Sequence, residues 1–499
     1  VTVARLGAIP DPGGTTTFRV WAPAAARVNV MLGGESLPLA HERDGLFTGV
    51  LRAPPGKDYV YVLDGDRAYP DPCSRFQPEG ILGPSRVVEL PPARRLGLSL
   101  DDLVVYELHV GTFSAEGTFD GVVPYLGGLR ELGVTAIELM PVATFPGDRG
   151  WGYDGVYAYA PHLAYGGPEG LARLVAAAHG EGLGVIVDVV YNHLGPGSEA
   201  LTAFGPYLSE DVQTFWGAGL DFSQAGVREW AIQNALCWVE DYGIDGLRLD
   251  AVRAIRDPSS QHVLDELAGR VHAAAPHALV IAETSVDDDQ PLEAWHHDAR
   301  WADGLHHALH ALLTGEREGY YAPYGSLADV AAELGRRPAE RHIVCAQDHD
   351  QVGNRALGDR LSPDALRVAS AVVLFSPQTP LLFMGEEYGE PNPFQFFTDH
   401  VSPETASAAR EGRKQEFAAW SAFAGQDVPD PEDEETFLCS KLSRRETPGV
   451  RDHYRRLLAL RRTLPREVQA EARGPKLTMR RGHAVLVADF DARTVELDA

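Results

Sequence analysis

Gly246-Leu247-Arg248-Leu249-Asp250 is a short apolar run with a guanidinium in its middle and a carboxylate at its end. Leu279-Val280-Ile281-Ala282-Glu283 repeats the pattern with no charge before the terminal acid, and Cys345-Ala346-Gln347-Asp348-His349-Asp350 closes a third strand-like run on another acid. Upstream, Val185-Ile186-Val187-Asp188-Val189-Val190 is apolar throughout except for one Asp. Continuous apolar runs of this kind suit parallel strands covered on both faces, whereas alternation suits a sheet with one wet face. A carboxylate at the tip of a buried strand is costly unless it is paired or used. Arg248 and Asp250 stand two residues apart, so on an extended chain their side chains share a face.

Working outward, similar runs cover residues 103–108, 134–140 and 380–384, with a weaker one near 301–305. Helical patterns lie between them. Thr118 is placed to cap a helix with Val122, Leu126 and Leu129 on one face and Gly133 at its end, and Pro168 opens another with Leu171, Leu174, Val175 and Ala178 together. Between these two helices, residues 141–167 read as a long aromatic-rich loop. Strand and helix alternate through eight units, which predicts an α/β chain folded as a closed (β/α)8 TIM barrel. No glycine-rich phosphate fingerprint follows the first strand, so an open doubly wound sheet is disfavoured.

The flanks read differently. In residues 1–90, Thr17-Phe18-Arg19-Val20-Trp21 and Val28-Asn29-Val30-Met31-Leu32 alternate with period two. Gly33-Gly34, Asp44-Gly45 and Asp64-Gly65 mark turns between short strands, as in an N-terminal β-sandwich. Pro91-Pro92 suggests a linker into a catalytic unit over 91–465, and the strand-like Ala484-Val485-Leu486-Val487-Ala488 predicts a small or truncated C-terminal β unit over 466–499. A chain of 499 residues exceeds what one core organises.

Charge narrows the partners. The chain carries 44 Lys and Arg against 71 Asp and Glu, a net charge of −27, which argues against nucleic acid or an anionic membrane surface. No run approaches the roughly 18 apolar residues of a membrane span, and no apolar signal segment opens the chain, so a cytoplasmic location is expected. Cys73, Cys237, Cys345 and Cys439 are scattered without a paired spacing, so neither a disulfide framework nor a zinc site is expected. No metal and no cofactor are called for. An extended chain would also send Asp348 and His349 to opposite faces, against a metal site there.

In a barrel, residues at the C-terminal strand ends converge on one face, which brings Asp188, Asp250, Glu283 and Asp350 to one pocket. Cleaving a glycosidic bond needs two carboxyl groups, one ionised as nucleophile or base and one held protonated as acid. Arg248 suits Asp250 to the ionised part, and the apolar run before Glu283 suits that residue to the acid. His193 and His349 can donate to sugar hydroxyls, and Trp151, Tyr153 and Tyr157 offer flat faces for pyranose rings. Taken singly, each residue has a structural reading as a strand cap, an ion-pair partner or a packed loop aromatic.

At these residues the chain resembles the α-amylase superfamily of glycoside hydrolases. Asp188-Val-Val-Tyr-Asn-His193, Gly246-Leu-Arg-Leu-Asp250, Ala282-Glu283 and His349-Asp350 match four of its sequence regions in order. The resemblance implies a (β/α)8 barrel acting on α-linked glucans with retention. It implies Asp250 as nucleophile, Glu283 as acid/base and Asp350 as transition-state stabiliser, with Tyr153, His193, Arg248 and His349 binding the sugar at the cleavage point. Finer motifs resemble the members that release trehalose: Tyr106-Glu-Leu-His-Val-Gly-Thr-Phe113, Phe145-Pro-Gly-Asp-Arg-Gly-Trp-Gly-Tyr-Asp-Gly-Val156, Asp303-Gly-Leu-His-His-Ala-Leu-His310 and Asp350-Gln-Val-Gly-Asn-Arg355. They imply maltooligosyltrehalose and related α-1,4-glucans as partners. The chain departs from the pattern at Asp348, where the superfamily usually has Asn. The alternatives are a branching or debranching enzyme of the same superfamily, and a glucan-binding protein that keeps the fold without the reaction. The complete acidic set argues against the second.

Overall fold

The computed structural model describes residues 4–65, 67–418 and 427–499, with side chains throughout except at 416–418. Its centre is a closed barrel of eight parallel strands: β1 (Val105–Leu108), β2 (Ala136–Leu139), β3 (Gly184–Val189), β4 (Gly246–Leu249), β5 (Leu279–Ala282), β6 (Ala299–Trp301), β7 (His342–Cys345) and β8 (Thr379–Phe383). Every residue of these strands is buried, because helices cover the outside and side chains fill the inside. The register pairs Asp188 of β3 with Arg248 of β4, and Glu107 of β1 with Glu138 of β2. Charged side chains therefore stack on neighbouring strands.

Three local expectations change. The strand near 301–305 lies at Ala299–Trp301, and a helix already begins at Gly304 (Gly304–Thr314). With three residues, β6 is too short to show periodicity. The helix capped by Thr118 is broken into Phe119–Val122, a 3-10 turn and Leu126–Leu132, because Pro124 lacks the amide that a continuous helix uses. The aromatic loop of 141–167 contains a two-stranded ribbon, Ala143–Thr144 with Tyr157–Pro161.

The N-terminal region forms two antiparallel sheets, one including Thr16–Trp21 and Leu46–Leu51, the other Val28–Leu32 and Asp58–Leu63. Phe18 of the first meets Tyr59 of the second edge-on at 5.0 Å between ring centres. Trp21 packs on Tyr207 of the barrel unit at 5.4 Å, and the Trp230 indole donates to the Pro72 carbonyl at 3.0 Å. After the helix Val450–Arg461, four antiparallel strands from Gln469 to Asp498 form the last sheet. Buried Arg481 ties it to the barrel by donating to the carbonyls of Phe375 and Ser376 at 3.0 and 2.7 Å. No helix among the described residues is long and apolar enough to cross a membrane.

Candidate active site

The C-terminal ends of β3, β4, β5 and β6 and the turn after β7 open into a cavity of about 440 Å³. Asp250, Glu283, Asp350, Tyr153, His193 and Trp151 line it. Arg248 and His349 lie beneath: they are 0% and 1% exposed, and neither reaches the cavity wall. Expected as sugar binders, these two hold residues that line the cavity: Arg248 bonds Asp250, and His349 bonds Tyr153. Tyr157 is also withdrawn, packed in the ribbon strand with its hydroxyl buried and unpartnered.

Asp250 follows β4 directly. Its Oδ1 accepts from Arg248 at 2.9 Å and its Oδ2 from the Asn192 amide at 2.7 Å, so both oxygens are fixed. The same Arg248 nitrogen donates to Asp188 at 2.6 Å, and the guanidinium packs 4.4 Å from the centre of the Trp301 ring. Charge-assisted bonds of this length are short and strong, and they fix the direction of the Asp250 carboxyl. Asn192 was not singled out in the sequence, although it sits in the quoted Tyr-Asn-His stretch. Its carbonyl is bonded to His193 Nδ1, which also orients that imidazole. Trp216, at the turn between Leu208–Thr214 and Gly217–Leu220, stacks on the His193 ring at 5.2 Å.

Glu283 ends β5. Its Oε2 accepts from the Ala251 amide at 2.5 Å and lies 3.9 Å from Arg248, while Oε1 has no hydrogen-bond partner among the described residues. Ala251 directs its amide there from φ 41, a left-handed conformation that residues with a Cβ rarely adopt, so the turn after Asp250 is strained. Burial raises the Glu283 carboxyl to about 7. Arg248 opposes the rise, while the charges of Asp250 and Asp350 add to it. Although 24% of its side chain remains open, that surface faces the enclosed cavity. A carboxyl that keeps its proton to about pH 7, beside a second carboxyl bonded to a guanidinium, is the pairing that acid-assisted glycoside cleavage needs.

Asp350 is not at a strand end. β7 stops at Cys345, and Asp350 stands in the first turn of a short helix, His349–Gly353, with Asp348 as its N-cap. The expectation that Asp348 and His349 diverge as on an extended chain therefore gives way to helical geometry. Asp350 Oδ1 accepts from Asn354 at 2.9 Å and lies 3.4 Å from His349 Nε2. Burial works against a charge on His349, but Asp350 and Glu107 outweigh it and hold the imidazole up to about 10. As an imidazolium it donates through Nδ1 to Glu107 at 2.5 Å and through Nε2 to the Tyr153 hydroxyl at 2.7 Å. Tyr153 in turn donates to Asp188 at 2.6 Å. One chain of hydrogen bonds thus runs from Glu107 through His349, Tyr153, Asp188 and Arg248 to Asp250, and it locks the ring of Tyr153 at the cavity floor.

Asp348 is buried without a cation of its own. Its oxygens accept from the Gln351 amide at 2.8 Å and the Cys345 thiol at 3.2 Å. Burial, then Glu107 and Asp350, raise its carboxyl to about 7, with His349 opposing. A carboxyl raised on folding contributes stability that is complete below the ordinary value of about 3.9 and lost as pH climbs to about 7. Asp348→Asn keeps the cap and carries no charge. Its melting temperature should therefore exceed the parent's by more at pH 8 than at pH 5, within a bound of about 1.4 kcal/mol per unit of displacement. Equal differences at the two pH values would show that Asp348 does not titrate as described.

Among the described residues no group of three or more His, Cys, Asp or Glu side chains is arranged to hold a metal ion. Several cavity residues had no separate signal in the sequence: Trp216 and Phe215 on the hairpin turn, Gln351, and Phe396. Asp303 and His307 also line the cavity, and they appeared only as letters of a longer motif.

Residues 69–209 match the family model for the alpha amylase catalytic domain. The chain is 39% identical to the malto-oligosyltrehalose trehalohydrolase of Saccharolobus solfataricus, over 96% of this chain and 92% of that protein. It is 42% identical to the enzyme of the same name from Deinococcus radiodurans, over 92% and 83%. Among solved structures, a putative alpha amylase from Salmonella typhimurium superposes with a TM-score of 0.88 at 36% identity, covering 97% of this chain and 93% of that one.

Proposed function

The chain belongs to the malto-oligosyltrehalose trehalohydrolases of the α-amylase superfamily, and from that premise we propose that it cleaves the α-1,4 bond next to the terminal trehalosyl unit of maltooligosyltrehalose. Asp250 is the nucleophile, Glu283 the acid and base, and Asp350 the group that holds the sugar hydroxyls as the ring flattens. Glu283 Oε1 gives its proton to the glycosidic oxygen while an Asp250 oxygen bonds to the anomeric carbon, and trehalose departs. Glu283, now ionised, takes a proton from water. The water oxygen then displaces Asp250 and leaves a maltooligosaccharide of α configuration. Two displacements at one carbon return the original configuration.

The observation that carries the reading is a second cavity of about 860 Å³ beside the first, lined by Val252 and Arg253 after the nucleophile and by Ser285 and Asp288 after the acid. His307 and Tyr320 border both cavities. A leaving group on the acid's side therefore enters a compartment of ligand size. This favours a two-sugar leaving unit over an acceptor glucan chain, which a branching enzyme would have to admit. The test is product analysis on maltotriosyltrehalose beside plain maltopentaose. Trehalose with maltotriose is expected from the first, at a rate well above cleavage of the second. Equal cleavage of both without trehalose, or new α-1,6 branch points in a longer glucan, would sink the proposal.

A further inference from the structure

Where the two cavities meet, one helix presents a carboxyl and an imidazole nitrogen that have no hydrogen-bond partner among the described residues. Asp303 stands at the start of Gly304–Thr314, between β6 and the helix, and His307 follows one turn later on the same face. Asp303 lines the catalytic cavity with Glu283 and Asp350, and His307 lines both cavities. The Asp303 side chain does not cap its helix, and it makes no hydrogen bond or ion pair among the described residues. His307 is 6% exposed, and its Nδ1 is buried with no partner. Its other nitrogen lies 3.4 Å from the Gln351 amide, and Tyr320 stacks on the ring at 5.4 Å. Unpaired polar groups inside a cavity wall are costly, and a sugar hydroxyl is both donor and acceptor, so it can satisfy a carboxylate and an imidazole nitrogen together.

We propose that Asp303 and His307 bind the first sugar of the leaving unit, through its hydroxyls, and so select the trehalosyl end of the substrate. The inference rests on the reading above, in which the leaving group lies on the Glu283 side. Burial lowers the His307 imidazole to about 4, with His310 adding to the effect, so the ring engages the sugar neutral. The charged groups facing Asp303 are Asp348 and Asp350 from the turn after β7, Glu283 from β5 and Arg248 from β4. Three of the four are acidic. With burial as the larger cause, the three acids raise the Asp303 carboxyl and Arg248 opposes them.

The test uses the full chain and two substrates that share a glycone. One is maltotriosyltrehalose; the other is a 4-nitrophenyl α-maltotrioside, whose leaving group carries no sugar hydroxyls. Asp303→Asn is expected to lower kcat/KM at least thirtyfold on the first and less than threefold on the second. It should also weaken inhibition by added trehalose at least tenfold. Equal losses on the two substrates, or no loss on either, would overturn the proposal. His307→Gln is measured in parallel with the same expected split, and it decides the matter if Asp303→Asn fails to fold. The parent enzyme controls for the premise. If the parent releases no trehalose, the functional reading fails; if it does and both variants cleave the two substrates like the parent, only this inference fails.

Discussion

Asp250→Asn is expected to lower kcat on maltooligosyltrehalose by at least about four orders of magnitude, roughly 5 kcal/mol or more of lost transition-state stabilisation. The amide has the shape of the carboxylate, and Arg248 keeps its 2.6 Å bond to Asp188, so the barrel should remain assembled. What disappears is the anionic oxygen held by Arg248 and Asn192 and aimed into the cavity. An aryl or fluoride leaving group should not restore the rate, because the missing partner is the one that forms the new bond. Thermal melts close to the parent, together with this loss, separate a chemical defect from a folding one. Retention of a tenth of the parent activity would remove Asp250 from the nucleophile's position.

Glu283→Gln should behave differently, and the difference identifies the acid. A fall in kcat of about 10²–10⁴-fold is expected, the range for a lost general acid and base. KM should change little, because Gln can still accept the Ala251 amide that Glu283 accepts at 2.5 Å. The parent's kcat/KM should fall tenfold per unit above about pH 7, since the active form is the protonated acid and ionisation removes it. In the variant that limb should vanish. With a glycosyl fluoride, which departs without a proton, the first step should recover much of its rate. No recovery with the fluoride, or an unchanged alkaline limb, would assign the proton to another group.

Much of this site can be read along the chain, for a physical reason. Asp250 and Glu283 each end a strand whose other residues are buried, so a single apolar run marks both the strand and the exceptional residue at its tip. Arg248 is legible because two-residue spacing on a strand fixes its face, and the structure places its guanidinium 2.9 Å from Asp250. What stays hidden depends on contacts distant in sequence. Nothing in Tyr153 alone indicates that His349, 196 residues away, donates to its hydroxyl, or that this bond continues to Arg248. The turn after β7 misleads because its apolar start continues into Ala346 and Gln347, whereas Asp348 caps a helix and rotates Asp350 into place. β6 is hidden by its length, and with it the position of Asp303 at the barrel's mouth. His307 shows in the sequence as one of three histidines on an apolar helix, and only the cavities distinguish it from His306, whose Nδ1 donates to the Ala346 carbonyl at 2.8 Å.

The hydrogen-bonded chain from Glu107 to Asp250 joins fold and chemistry, because its members come from β1, β3, β4, the loop after β2 and the helix after β7. Its two buried cations, Arg248 and His349, serve Asp188, Asp250, Glu107 and Asp350. Glu283, Asp303 and Asp348 lie outside its hydrogen bonds, and all three carboxyls are raised by burial. Asp188, although a member of the chain, is likewise raised by burial to about 7, with Arg248 opposing.

The most direct measurement is a proton NMR time course of maltotriosyltrehalose hydrolysis, recorded before the products mutarotate. The account predicts that trehalose appears at the same rate as maltotriose, and that the new reducing end appears first as the α anomer. A β anomer appearing first, or a new reducing end without trehalose, would contradict it.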